Sequence, residues 1–301
     1  MSPARRALLV AAVLVPCCVL GLVGWLVARP APESAGRDTE RPGRPGKAAS
    51  EAPGKPSGPS APEPSADGGP LAGTVVLIDP GHNPGNRNHP EAIGRQVDVG
   101  THRKDCDAVG AETNAGYPEA EFTLDLARGV RDRLEARGAT VVLTHDGDRP
   151  HGPCVDERAR IGNEAGADAA VSLHADGAAE GERGFHVILP ADVTAGAADT
   201  RSITGPSRRL GTHLVEHFAG ATGTRPAAYL GPDTAESGLD VRADLGGLNL
   251  STVPKVFLEC GNMRDTDDAA LLTDDGWRTR AADGIARGVT AFLTDRDADA
   301  P

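Results

Sequence analysis

Three polar residues stand where short apolar runs end. His82 closes Asp79-Pro80-Gly81-His82 after the β-branched run 74–78, His174 follows the run 169–173, and Glu259 follows the run 255–258. Imidazole and carboxylate are the donor types that hold a zinc ion while leaving one position open for water, an arrangement suited to hydrolysis. The residues are dozens of positions apart, so spacing alone leaves alternatives open. His82 also reads as a turn histidine, His174 as a hydrogen-bonded strand-end histidine, and Glu259 as one arm of a salt bridge. A sheet of parallel strands would bring them together, because ligands collect at the carboxyl ends of such strands.

The elements such a sheet needs are legible in the pattern. Pro118 suits the first turn of a helix, and Phe122, Leu126, Val130 and Leu134 recur at helical spacing until Gly138. Strands are expected over 74–78, 140–144, 169–173, 185–189 and 255–258, with further helices over 156–164, 207–219 and 277–293. Alternating strands and helices predict one α/β domain over 73–296, a central mostly parallel sheet flanked by helices, and a short tail over 297–301. With 39% apolar but only 3% aromatic residues, its core must come from Ala, Val, Leu and Ile.

The first quarter of the chain reads differently. Arg5 and Arg6 precede an uncharged run over 7–28, whose 22 residues would span about 33 Å as a helix, roughly one bilayer core. Leu26-Val27-Ala28 is a poor cleavage site, so residues 1–29 are expected to be a retained single-pass anchor rather than a cleaved signal. The basic flank leaves the remainder outside the cytoplasm, in the cell envelope. Cys17 and Cys18 lie within this run, and Pro16 stands where a lipoprotein site wants a small residue. Residues 30–72, rich in Pro, Gly, Ser and Ala, cannot bury enough surface to order themselves and are expected to be a disordered linker. The net charge of −12 argues against nucleic acid as a partner. That acidity belongs to the folded part, since residues 1–72 hold eight basic and six acidic side chains.

Three segments carry a resemblance. Ile78-Asp79-Pro80-Gly81-His82, Ala170-Val171-Ser172-Leu173-His174-Ala175-Asp176 and Val253-Pro254-Lys255-Val256-Phe257-Leu258-Glu259-Cys260-Gly261 closely resemble, in order, the signature segments of zinc-dependent N-acetylmuramoyl-L-alanine amidases. The resemblance runs from Val75 to Leu293 and implies a sheet of about six strands, zinc held by His82, Glu119 and His174, and Glu259 acting on the water. Glu119 and Glu121 compete for the middle ligand. From Glu119 the family's later positions fall on Phe122, Leu124 and Gly138, which favours it over Glu121. Two features depart from the common pattern. A long insertion containing His89, His102 and Cys106 separates His82 from Glu119, resembling a subgroup with an enlarged loop over the site. His145 stands where the family commonly has Arg, and Asn249 lies in a segment resembling the substrate-side loop.

The resemblance implies hydrolysis of the amide between N-acetylmuramic acid and L-alanine in peptidoglycan. The alternatives are a zinc peptidase acting within the stem peptide and a catalytically silent wall-binding module. Peptidoglycan or muropeptides are the expected partners, with the membrane held through the N-terminal segment and the chain acting as a monomer. Setting aside Cys17, Cys18 and Cys260, which follows the expected catalytic glutamate, Cys106 and Cys154 remain as the pair for a disulfide in an oxidising compartment.

Overall fold

In the computed structural model, which describes residues 68–295, the chain is anchored from its first turn. Leu71 is fully buried and its N–H donates to the Arg137 carbonyl at 3.0 Å, so the expected linker ends before residue 72. The expected anchor, the linker up to residue 67 and the tail over 297–301 lie outside the described residues. Among the described residues, no helix is long and apolar enough to cross a membrane.

Six strands form one sheet: β1 (Val75–Pro80), β2 (Thr140–Leu143), β3 (Ala169–Asp176), β4 (His186–Pro190), β5 (Leu239–Arg242) and β6 (Lys255–Asn262), in the order β2-β1-β3-β6-β4-β5. Every neighbouring pair is parallel except β6 and β4. Residues 177–185 connect β3 to β4, too few for the crossover of a dozen or more that parallel strands require, so β4 enters antiparallel. β5 was not anticipated: Leu239-Asp240-Val241-Arg242 alternates over too few residues to stand out.

Side-chain alternation gives the sheet two faces. Val76, Ile78, Val171, Leu173, Val256 and Leu258 form the larger core with helices α1 (Glu119–Glu135), α3 (Thr204–Thr222) and α5 (Asp275–Asp295). Leu77 and Ala170 face Ile161 of α2 (Val155–Glu164) on the other side, and α4 (Thr266–Leu272) precedes α5. The period read in α1 is the one that packs: Phe122, Leu126, Val130 and Leu134 are essentially inaccessible to water, and burial of each such side chain stabilises by roughly 1.5–3 kcal/mol. Two strands run further than expected. β3 continues through His174 to Asp176 and β6 through Glu259 to Asn262, because each is still paired there. The polar residues therefore sit inside the last pleats of the strands.

The insertion after His82 is ordered. It forms a short helix, Pro90–Ile93, and a hairpin of strands Gln96–Asp98 and Arg103–Asp105. Cys106 and Cys154 are joined by a disulfide, and the Val155 N–H donates to the Cys106 carbonyl at 2.8 Å. Val97 and Val99 pack on that bridge, giving the hairpin an apolar base at the start of α2. Closing a loop with a separation of 48 residues stabilises by about 4 kcal/mol in the chain-entropy account.

Candidate active site

His82 lies two residues past β1 in a left-handed conformation, φ 62°, which costs a non-glycine residue about 1–3 kcal/mol. Its carbonyl is held from two directions. Arg158 Nη2 donates to it at 2.8 Å, and His145 Nε2 reaches it at 2.8 Å and the Pro80 carbonyl at 3.2 Å. Gly81 is required by contact: a Cβ there would lie 2.4 Å from the His174 ring. The turn thus presses the first histidine against the strand that bears the second.

Glu119 opens α1 and reaches both rings. Its Oε2 lies 3.2 Å from His82 Nε2 and its Oε1 lies 3.0 Å from His174 Nδ1. Backbone N–H groups of Ala111 and Ala175 donate to the same two oxygens at 2.7 and 3.2 Å. One donor atom from each of His82, Glu119 and His174 lies within 4.8 Å of the others. Gly110, at φ +88°, admits this approach, since a Cβ there would fall 2.9 Å from Glu119 Oε2.

Hydrogen bonds behind the rings orient the lone pairs. His82 Nδ1 faces the Ala108 carbonyl at 3.1 Å, a pure acceptor, so Nδ1 carries the proton and Nε2 is left for the cluster. Behind His174, Ser172 Oγ donates to Asp79 Oδ2 at 2.9 Å and accepts from His174 Nε2 at 3.3 Å, which leaves Nδ1 as the inward lone pair. Asp79 is fully buried. Burial opposes its charge, but Lys255 and Arg158 outweigh burial and hold the carboxyl far below the usual range, so it accepts only. His82 Nε2 and His174 Nδ1 thereby turn towards an ionised carboxylate, a donor set that fits a zinc ion with a further position open. Burial disfavours charge on His82, yet Glu119 and Asp107 push its pKa up to about 10: the pocket favours positive charge, which a proton on Nε2 supplies until a cation displaces it.

Glu259 pairs in register with His174 across β3 and with His186 across β4, so it shares the face of the sheet that carries His174. Together with the cluster it lines a cavity of about 310 Å³ whose far wall includes Arg242. Its carboxylate has no hydrogen-bond partner among the described residues. Burial first, then the Glu119 and Asp176 charges, raise its pKa well above the ordinary value. A solvent-poor carboxylate beside a group that could hold a metal can exchange a proton with a water in the same cavity.

A family model described as N-acetylmuramoyl-L-alanine amidase matches residues 76–291, a span containing all four residues. The chain belongs to this amidase family. It is 41% identical over 224 residues to an N-acetylmuramoyl-L-alanine amidase of Mycobacterium tuberculosis, covering 74% of this chain and 88% of that protein. The crystal structure of the amidase Ami1 from Mycobacterium smegmatis superposes with TM-score 0.66 at 40% identity, covering 74% of this chain and 98% of that one. Apo Ami1 from Mycobacterium abscessus gives the same TM-score at 37% identity, over 74% and 100% of the two chains.

Within this amidase domain the structure separates Glu119 from Glu121: the first is 3% exposed in the cluster and the second faces water. His145 serves the backbone by holding the Pro80 and His82 carbonyls, and burial, then Arg158, keep it neutral. Asn249 is fully buried and bonds the Ala243 carbonyl at 2.9 Å and Thr101 Oγ1 at 3.2 Å, tying the Gly246–Asn249 turn to the insertion. His89 stacks near His151 at 4.9 Å and His102 contacts Thr101, so neither joins the metal cluster. Cys260 is buried and free, its thiol pushed up by burial and then by Glu259. Sequence reading gave no role to Asp79, Ser172, Arg158, Asp107 and Lys255, which form the polar floor of the site. Arg158 alone bridges Asp79 and Asp107 at 2.8 Å each, and Asp107 in turn flanks His82.

Proposed function

We propose that this chain is a zinc amidase that hydrolyses the bond between the lactyl group of N-acetylmuramic acid and the L-alanine of the peptidoglycan stem. The observation that carries this is the convergence of His82, Glu119, His174 and Glu259 at one end of the sheet of an N-acetylmuramoyl-L-alanine amidase domain. His82 Nε2, His174 Nδ1 and a Glu119 oxygen would hold the metal. When bound, zinc supplies Lewis acidity at a carbonyl oxygen and makes water easier to deprotonate near neutral pH. A Glu259 carboxylate oxygen accepts the proton of the attacking water and returns it to the amide nitrogen as that nitrogen leaves. Phe257, stacked on the His174 ring at 5.1 Å, keeps water from that flank of the ligand. The products are a lactyl carboxylic acid on the glycan and a stem peptide with a free L-alanine amine.

The domain works outside the cytoplasmic membrane, held there by the N-terminal anchor. The uncharged run over 7–28 after Arg5 and Arg6 supports that placement, and a disulfide between Cys106 and Cys154 suits an oxidising compartment. Mass spectrometry of defined muropeptides tests the reaction. Release of an intact stem peptide beginning at L-alanine is expected. A cut inside the stem would make the enzyme a zinc peptidase, and no product would leave a silent wall-binding module.

The relay behind His174 makes its own prediction. Ser172→Ala should weaken zinc binding by about 10- to 100-fold, the usual penalty for removing a group that orients a metal ligand. Ser172→Thr should restore most of it. Competition with a chromogenic chelator reads the affinity, and wild-type affinity in Ser172→Ala would remove the relay.

A further inference from the structure

A second cavity, of about 570 Å³, is lined by His82 and His174, by Lys104 of the hairpin, and by Gly246 and Phe257. In the hairpin register Lys104 stands opposite Val97. Residues directly opposed in an antiparallel pair share a face, and Val97 is 5% exposed against the disulfide cluster. Lys104 therefore belongs to the inward face, and it is half-buried in the cavity wall. Among the described residues it makes no salt bridge and no hydrogen bond. The carboxylates around it are already engaged: Asp105 with Gln96, Asp107 with Arg158 at 2.8 Å, and Asp244, on which the Lys104 charge bears, with Arg242 at 2.6 Å.

A lysine on a solvated face needs no explanation. A half-buried lysine on the inward face of a hairpin, with no ion pair of its own, is better accommodated when a bound group brings negative charge to it. The chain as a whole is acidic, whereas this cavity is lined by Arg103, Lys104 and Arg158 against Asp105 and Asp107, a local reversal of sign. The cavity is continuous with the metal cluster through His82 and His174, so whatever occupies it extends from the reacting amide.

We propose that Lys104 is the cation of a carboxylate subsite, taking a free α-carboxylate of the stem peptide just beyond the L-alanine. This deepens the amidase reading of the same site and rests on it. The enzyme then favours stems whose second residue is left as the acid over those in which it is amidated.

The test compares N-acetylmuramoyl-L-alanyl-D-isoglutamate with its D-isoglutamine analogue, which differ only in that carboxylate. Wild type should cleave the acid with a kcat/KM about tenfold higher, expressed mainly in KM and shrinking as salt is raised, as expected for a charge-assisted contact near the surface. In Lys104→Met the ratio should fall to about one, while Lys104→Arg keeps a preference for the acid. Zinc content measured on each variant separates loss of the subsite from loss of the fold. Cleavage of both substrates by wild type without preference, or a preference that survives in Lys104→Met, would overturn the subsite alone. Cleavage of neither would overturn the amidase reading and the subsite with it.

Discussion

Glu259→Ala should lower kcat on a muramoyl-L-alanine substrate by about two to four orders of magnitude, the range for a positioned acid–base group, while zinc stays stoichiometric. The reason lies in its surroundings. Glu259 shares a cavity with His82, Glu119 and His174 but makes no hydrogen bond or ion pair with them, so its removal leaves the ligands and their backbone donors in place. Burial and the neighbouring Glu119 and Asp176 charges push its pKa up, which by itself would keep it protonated and useless as a base. A dication held by the ligands would oppose that crowding of negative charge and lower the pKa, so that the group could both take and give a proton. Glu259→Gln keeps the shape and hydrogen-bonding capacity but cannot accept the proton, so it should be about as damaged as alanine. Steady-state kinetics with metal analysis on the same preparation decides the matter. A kcat within about threefold of wild type in either variant would take Glu259 out of the chemistry.

Loss of a ligand should look different. His174→Ala is expected to lose zinc together with activity, since His82 and Glu119 alone cannot complete the three protein donors of a hydrolytic site. Glu119→Ala should do the same, and it also strips the acceptor from the Ala111 and Ala175 N–H groups. Glu121→Ala is the matched control two residues along the same helix. It faces water, and stability there should change by no more than about 0.5 kcal/mol, with zinc and kcat close to wild type. Elemental analysis after dialysis against trace zinc gives the metal content of all three. Retention of wild-type zinc by His174→Ala, or its loss from Glu121→Ala, would refute this ligand set.

By itself the sequence determined the parts whose signal is local. The β-branched run before Asp79, the four-residue period from Phe122 to Leu134 and the runs before His174 and Glu259 each repeat within a few residues, and each became a strand or helix at that place. The preference for Glu119 over Glu121 came instead from the resemblance, whose later positions fall on Phe122, Leu124 and Gly138 within one segment. The hairpin and β5 escaped because strands of three or four residues, half of them charged, are too short to show an alternation. Only the tertiary structure decided the left-handed turn at His82, the antiparallel entry of β4 and the floor of charges under the histidines. Arg158 meets Asp79 across 79 residues of chain and Lys255 meets it across 176, so no window of sequence contains the pair. Which nitrogen each histidine turns inward depends on an acceptor behind its ring, Ala108 for one and Ser172 for the other, and that acceptor is set by how the loops and strands pack rather than by the residues beside it.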